Sequence, residues 1–247
     1  MILWFSLAAC LIASLYMPVL GQQVLKRRVI FIDLALAQVA AVGYAIGLAA
    51  DGSGILYATI VTAVVIFMIA SIPDNTNLPK EGIMGALYAL ALSLGMMILA
   101  SLPHAEGQMM ELMFGSMLGV NENELMILAC SGLIAVILMR QHHMDTYIGR
   151  ILFYSSLAIA VVPAIYTIGV VLVFALLVMP GLAVWNIHTG KTSLAILAAS
   201  LASACGVLFS NYFDYPPSSS VIVFLSIIAL ISRLFIYLKT RKSQTLI

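Results

Sequence analysis

Long apolar stretches recur along this chain of 247 residues, and short polar segments separate them. A helix needs about 20 consecutive apolar residues to cross a bilayer core about 30 Å thick. By this rule the sequence predicts nine spans, at 1–20, 29–50, 55–72, 82–101, 125–139, 151–164, 167–185, 192–210 and 219–238. The pair 151–164 and 167–185 is too long for one crossing and short for two, and Pro163 and Gly169 supply a break between them. We therefore expect an all-α polytopic membrane protein with about eight or nine transmembrane helices, in a single domain over residues 1–247.

The composition agrees with a chain that lies in lipid. Charged residues make up 9% of the sequence and hydrophobic residues 63%, whereas about a quarter of a soluble domain is charged. The net charge of +1 argues against nucleic acid as a partner. Cys10, Cys130 and Cys205 each lie within apolar runs, so we interpret them as small hydrophobic residues.

The positions of the charges predict the orientation. All 11 basic residues fall in one alternate set of loops, at the helix ends beside them or in the C-terminal tail: Lys26, Arg27, Arg28, Lys80, Arg140, Arg150, Lys191, Arg233, Lys239, Arg241 and Lys242. Since cytoplasmic loops carry an excess of lysine and arginine, the C-terminus is predicted to be cytoplasmic and the N-terminus outside. The opposite loops hold Asp51, Glu106, Glu111, Glu122, Glu124 and Asp214. These acids are either ordinary solvated residues or the lining of a negatively charged entrance, called the outer mouth below, that concentrates cations.

Asp33 is the only charged residue within the apolar interior of a predicted span. Ionisable residues at such depth are costly and suggest function. Asp33 is also only about 7 Å beyond Arg28 along a helix. An alternative is therefore that its carboxylate pairs with the basic cluster that ends at Arg28, or is stabilised by the helix N-terminus. Gln38 either joins helices by a hydrogen bond or faces a water-filled path. The two residues lie about 140° apart around the helix and do not share one face.

Other polar groups lie outside the spans. His142, His143 and His188 fall in predicted cytoplasmic loops, whereas His104 and Glu106 are close together on the outer side. This pair either captures a divalent metal ion or is solvated. The segment 106–124 mixes apolar and acidic residues, and it is predicted to lie in the interface or to enter the membrane as a half-helix. The sequence shows no catalytic or ATP-binding motif, so a membrane enzyme is the least favoured class, and any transport driven by ATP would need another chain to hydrolyse it.

Five segments carry a family resemblance along nearly the whole chain. They are VLGQQVLKRRVIFIDLALAQVAAVG, PKEGIMGALYALALSLGMMILAS, LMFGSMLGVNENEL, GVVLVFALLVMPGLAV and GVLFSNYFDYPPSSSVIV. In this order they resemble the integral-membrane permeases of bacterial ABC importers for zinc, manganese and iron. The resemblance implies a permease of the bacterial inner membrane that translocates a metal ion.

The resemblance also implies partners. These are a second copy of the chain, a dimer of cytoplasmic ABC ATPase subunits that bind ATP and Mg²⁺, an extracytoplasmic metal-binding protein and membrane lipid; no cofactor is expected on this chain. The cytoplasmic segment MRQHHMDTYIGR corresponds to the loop that docks the ATPase and is shorter than in much of the family. Its candidate docking residues are Gln141, His142, His143, Met144, Asp145, Thr146, Tyr147, Gly149 and Arg150.

One departure from the family pattern concerns the metal path. The family's helix commonly carries an aspartate and a histidine four residues apart, whereas here the histidine position is Gln38 and the aspartate lies one residue earlier, at Asp33. Loss of the imidazole weakens the case for a bare Zn²⁺ or Mn²⁺ ligand. The options are transient passage with weak binding, ligands elsewhere at His104, Glu106 and Asp214, or transport of a metal chelate. An ATP-independent secondary transporter is the alternative from another class. We expect Asp33 and Gln38 to line the path.

Overall fold

Helices form the regular structure of the protein. The computed structural model describes residues 2–50, 52–72, 79–100, 119–140, 146–185, 187 and 190–244. The helices in these ranges are α1 (Ile2–Arg27), α2 (Ile32–Ala49), α3 (Gly54–Ala70), α4 (Lys80–Ala100), α5 (Glu122–Arg140), α6 (Tyr147–Ile168), α7 (Val170–Ala183), α8 (Lys191–Phe213) and α9 (Pro217–Gln244). These ranges contain no strand, so the predicted all-α class is confirmed.

Each predicted span overlaps one of these helices. In the described part of the chain, α1, α4, α5, α6, α8 and α9 are long and apolar enough to cross a membrane. The shorter α2, α3 and α7 are apolar as well. The 14 residues of α7 extend about 21 Å, which is less than the hydrocarbon thickness of about 30 Å. The number of full crossings therefore stays a prediction for the three shorter helices.

Two local predictions were wrong. The segment after residue 20 was predicted to be a loop, but α1 continues to Arg27 because Val24 and Leu25 are buried and the cations Lys26 and Arg27 are favourable at a helix C-terminus. Pro163 was predicted to help break the chain between 164 and 167, but it lies inside α6. Neighbouring helices and local hydroxyl groups make proline tolerable in membrane helices.

Gly169 alone separates α6 from α7. Its φ of 85° lies in a region that glycine adopts without strain. Beyond it, α7 runs beside α9 in the same direction, as two hydrogen bonds show. Ser218 near the start of α9 donates to the Ile168 carbonyl, and Ser232 farther along donates to the Ala183 carbonyl. The chain therefore reverses at Gly169, as the prediction of two separate helices requires.

The core forms around α1, which packs against α5, α6, α7 and α8. On one side α2 packs against α3, α4 and α6, and on another α9 packs against α7 and α8. Glycines allow several of these approaches, since small residues let membrane helices come close together. Gly21 of α1 lies against the backbone of Leu177 in α7, and Gly206 of α8 lies against that of Val221 in α9. A Cβ at Gly43 of α2 would be 2.7 Å from the Ala58 Cα of α3.

The basic helix ends meet at one end of the bundle. Arg27 lies 4.4 Å from the centre of the Phe153 ring, and the Arg150 Nε donates to the Ala70 carbonyl at 2.8 Å. Thr192 at the start of α8 donates to Gln22 near the end of α1 at 3.0 Å. These contacts group the helix ends as the charge distribution requires. That this end faces the cytoplasm stays a prediction.

Replacing Gly21 with alanine is expected to destabilise the bundle. The added Cβ would overlap the Leu177 carbonyl group, and overpacking of this kind costs about 1–3 kcal/mol. The control is Gly85→Ala on α4, where a Cβ meets nothing within 4 Å. Thermal unfolding in detergent should show a lower Tm for Gly21→Ala and an unchanged or higher Tm for Gly85→Ala. Equal melting of the two variants would contradict the α1–α7 contact.

Candidate translocation site

The turn between α1 and α2 fixes the position of Asp33. Arg28 adopts a left-handed conformation with φ 55°, and the Val29 N–H donates to the Val24 carbonyl at 3.3 Å. The Ile30 N–H donates to the Glu81 Oε1 of α4 at 3.5 Å. The first turn of α2 is thereby attached to both α1 and α4.

Asp33 lies in that first turn and is 1% exposed. It is the only acidic or basic residue that is buried among those the structure describes. Backbone N–H groups of Asp33 and Leu34 donate to its carboxyl group, but within the described ranges Oδ1 has no hydrogen-bond partner. Arg28 is exposed, and Arg27 lies over Phe153. The geometry is therefore that of an acid at a helix N-terminus with one unused oxygen.

Gln38 lies farther along α2 and is half-buried. Because Gln38 follows Asp33 by five positions, its side chain projects about 140° away from that of Asp33. The structure thus keeps the two proposed path residues on one helix without bringing them together on one face. Their contact with a cargo stays a prediction.

A cavity of about 510 Å³ opens between α2, α3, α5 and α6. Most of its wall is apolar, and side chains with hydroxyl groups interrupt it. The described residues that line it are Tyr44, Ala58, Thr59, Thr62, Ala63, Ile66, Ser131, Ser155, Ala158, Ile159, Val162, Pro163 and Tyr166. The Tyr44 and Tyr166 rings lie 5.9 Å apart. The sequence reasoning did not find this site, although Thr59, Thr62 and Ile66 follow the spacing of one helix face.

Two acids of the predicted outer mouth have structural contacts. Asn121 and Glu124 form a reciprocal cap at the start of α5, with the Glu124 N–H donating to Asn121 Oδ1 at 3.0 Å and the Asn121 N–H to Glu124 Oε2 at 3.2 Å. Asp214 is exposed at the end of α8 with φ 54°. His104 and Glu106, the candidate metal pair, lie outside the described residues, as does nearly all of the segment 106–124.

The segment GVLFSNYFDYPPSSSVIV, one of the five that resemble the family, contains Ser210, Asp214 and Pro216. It forms the corner between α8 and α9. The backbone N–H groups of Asp214 and Tyr215 both donate to the Ser210 carbonyl, and the Ser210 hydroxyl donates to the Tyr215 carbonyl. The Pro216 carbonyl then accepts from the Ser220 N–H at 3.1 Å. The serine, the aspartate and the proline of this motif therefore build a tight turn.

The candidate ATPase-docking residues divide into two groups. Gln141, His142, His143, Met144 and Asp145 lie outside the described residues. The remaining four begin α6: the Thr146 hydroxyl accepts from the Gly149 N–H at 3.1 Å, and the Arg150 guanidinium, bonded to Ala70, lies 5.8 Å from the Tyr147 ring centre. The structure thus gives these four residues roles in starting and anchoring α6.

Metal-ligating side chains do not cluster in the described ranges: no group of three or more histidine, cysteine, aspartate or glutamate residues is found there. Within the part of the chain that the structure describes, candidate oxygen ligands for a cation include Asp33 Oδ1 and the hydroxyl groups around the cavity. Hydroxyl and carboxylate oxygens suit hard divalent cations, and they hold softer ions less firmly than imidazole or thiolate does.

Comparison with known proteins decides the family. The sequence matches the ABC 3 transport family over residues 1–148 and 140–236. The chain belongs to the ABC 3 transport family. This confirms the resemblance to metal ABC importer permeases. The two matched segments of this permease meet at the loop that the resemblance assigns to ATPase docking.

Curated relatives of the permease are membrane proteins of metal transport systems. It is 21% identical to the manganese transport system membrane protein MntC of Halalkalibacterium halodurans, over 90% of this chain and 82% of the relative. It is 20% identical to the high-affinity zinc uptake system membrane protein ZnuB of Haemophilus influenzae, over 94% and 98% of the two chains. The chelated iron transport system membrane protein YfeC of Yersinia pestis is 26% identical over 56% of this chain and 54% of the relative.

Solved structures share the fold of the permease. The chain of PsaBC from Streptococcus pneumoniae, solved in complex with Fab, superposes with a TM-score of 0.75 at 16% identity, over 94% of this chain and 90% of that one. An inward-facing putative metal-chelate type ABC transporter gives a TM-score of 0.62 at 16% identity, over 94% and 84%. The helix arrangement is therefore that of ABC transporter membrane subunits.

The left-handed conformation of Asp214 leads to a stability prediction. Asparagine adopts this conformation readily and valine does not, and such strain costs about 1–3 kcal/mol. Asp214→Val should therefore lower the Tm of the purified permease, whereas Asp214→Asn should leave it nearly unchanged. Both changes remove the same charge, so a difference between them reports on the backbone. Equal melting would argue against the corner geometry.

Proposed function

We propose that this permease is the membrane subunit of an ATP-driven importer for a divalent transition metal ion. The family membership supports a metal ABC permease, and the relatives named for manganese, iron and zinc systems support the cargo class. The ion is zinc, manganese or iron. It is delivered by an extracytoplasmic binding protein and released into a bacterial cytoplasm.

The observation that carries the proposal is the buried carboxyl group of Asp33. A carboxylate within a membrane-spanning bundle is costly unless it has a partner or a function, and here Oδ1 has no partner among the described residues. Its unused oxygen offers a ligand to a passing cation. A path must release its cargo, so one carboxylate with the Gln38 amide farther along suits transient binding.

The partners follow from the same assignment. A second copy of the chain completes the permease, and an ABC ATPase dimer on the basic side supplies the energy. The binding protein docks on the opposite side, where Asp214 lies and where the sequence predicts His104 and Glu106. The loop 141–145 and the start of α6 bind the ATPase. ATP and Mg²⁺ belong to that partner, and this chain holds no cofactor of its own.

Import of a metal chelate is the second candidate. Gln38 stands where the family's histidine is expected, which lowers affinity for a bare ion. A relative named for chelated iron transport and a solved neighbour of putative metal-chelate type support this alternative. Uptake assays with free and with chelated ion separate the two cargoes.

Removing the Asp33 carboxylate should lower metal uptake without unfolding the permease. If the carboxylate stabilises the ion in transit, Asp33→Asn should reduce uptake by at least about tenfold, which corresponds to about 1.4 kcal/mol. Gln38→Ala should reduce it less, since an amide carries no charge. Uptake of ⁵⁴Mn²⁺ and of ⁶⁵Zn²⁺ into cells measures the effect.

The matched control for this test is Ser93→Ala. Ser93 is an exposed residue of α4 that donates to its own helix at the Ala89 carbonyl. The Ser93→Ala variant should therefore keep normal metal uptake. Asp33→Asn should also keep its Tm, because the amide oxygen can accept the same backbone N–H bonds and the loss of the buried charge relieves a desolvation cost. Normal uptake by Asp33→Asn would remove this residue from the path.

A change at the start of α6 should weaken ATPase binding. Ile148 is 66% exposed beside the docking loop, and truncating a side chain that is buried on binding costs about 1–2 kcal/mol, or roughly fivefold to thirtyfold in affinity. Titration of Ile148→Ala with the purified ATPase measures this loss. The control is Tyr212→Ala. Tyr212 is 81% exposed and lies in the last turn of α8, at the end of the bundle opposite to the docking loop. Unchanged binding of the ATPase by Ile148→Ala would place the docking surface elsewhere.

Co-purification of the native chain is a separate test of the partner. Failure of the native chain to co-purify with an ATPase would favour a secondary transporter.

A further inference from the structure

The cavity between α2, α3, α5 and α6 contains a hydroxyl group that hydrocarbon cannot satisfy. Thr62 is 6% exposed and lines the cavity, and its Oγ1 has no hydrogen-bond partner within the part of the chain that the structure describes. An unpaired hydroxyl in an apolar environment costs about 1–3 kcal/mol. An acyl chain in this space would leave that cost in place, whereas water or a hydrated ion would remove it.

The cavity is large enough for water, and several hydroxyl groups interrupt its apolar wall. A buried water needs space and polar partners, and about 510 Å³ is available here. Besides Thr62, the residues with hydroxyl groups that line this space include Ser131 on α5, Ser155 and Tyr166 on α6, and Tyr44 on α2. The polar side chains therefore come from all four helices.

The surroundings of the cavity show where it opens. Among the described residues α3 and α5 scarcely contact each other, although both pack against α6. Three of the lining residues, Thr59, Ile159 and Tyr166, are exposed. Tyr166 lies two residues before the end of α6, on the side where α9 begins. The cavity thus extends from the predicted outer end of the bundle towards its middle.

The cavity also lies over the face of α2 that carries Asp33. Tyr44 is 11 residues beyond Asp33, which corresponds to about three turns, about 16 Å of rise and only about 20° of rotation. Ala37 and Ala40 occupy the positions between them on this face, and both are buried. A stripe of small side chains therefore connects the cavity with the carboxyl group.

We propose that this cavity is an aqueous vestibule in which hydroxyl oxygens of Thr62, Ser131 and the two tyrosines hold the hydrated divalent cation before it reaches Asp33. Its role as a cargo site rests on the proposed function, whereas its filling with water does not. The ligands are neutral oxygens, so the vestibule binds the ion through its hydration shell and releases it readily.

Cysteine labelling tests the vestibule in the full chain. Cys10, Cys130 and Cys205 are first replaced with alanine, and folding and metal uptake are measured for this background and for the native chain. Thr62→Cys is then compared with Ile60→Cys and Val64→Cys, which flank it in depth but lie on the opposite face of α3 and are 52% and 53% exposed. Right-side-out membrane vesicles receive a membrane-impermeant cationic methanethiosulfonate, with and without millimolar Mn²⁺.

The expected result is labelling of Thr62→Cys at least about tenfold faster than of both controls, because the reagent attacks a thiolate, which forms in water and not in hydrocarbon. Mn²⁺ should slow labelling of Thr62→Cys severalfold. Should Thr62→Cys fail to fold, Ser131→Cys is compared with Leu133→Cys, which lies on the opposite face of α5 and is 63% exposed.

The remaining outcomes separate the parts of the proposal. Equal rates at Thr62→Cys and its controls would overturn the aqueous vestibule. Fast labelling that Mn²⁺ does not slow, in a chain that still imports the ion, would overturn the cargo site. Fast labelling in a chain that imports no metal would leave the aqueous cavity supported and would overturn the proposed function.

Discussion

Hydrocarbon offers no hydrogen bonds, and this constraint governs every polar group inside the bundle. Several hydroxyl groups of the described helices meet it locally, as when Ser93 and Thr167 donate to carbonyls four residues earlier. Others meet it between helices, as with Ser14 of α1 and Ser203 of α8, whose hydroxyl oxygens lie 2.8 Å apart. The groups that do neither are the ones to which a role must be assigned.

Four described side-chain atoms are buried without a partner: Tyr16 Oη, Gln22 Nε2, Asp33 Oδ1 and Thr62 Oγ1. Gln22 lies at the basic end and already accepts from Thr192, and the Tyr16 ring packs against Gly132. Asp33 and Thr62 are different, because one carries the charge of the bundle interior and the other lines its cavity. The same physical argument thus selects both residues as candidates for the proposed route.

The sequence predicted the helices well because the signal is a long apolar run, which the bilayer requires directly. Its errors arose where tertiary contacts override local signals: Gln22, Gln23 and Lys26 suggested a loop, but Val24 and Leu25 are buried and keep α1 helical. Pro163 suggested a break that Gly169 supplies instead. The cavity was out of reach, because a single threonine in an apolar helix usually bonds to its own backbone. The roles of His104, Glu106 and residues 141–145 stay predictions.

The one-residue connection at Gly169 has a mechanical consequence. With so short a link, α6 and α7 cannot slide past each other, and Gly21 holds α7 close against α1. The α6 wall of the cavity is consequently tied through α7 to the core helix α1. The cavity's side walls α3 and α5, which scarcely contact each other in the described ranges, are the parts whose displacement would widen or narrow the space.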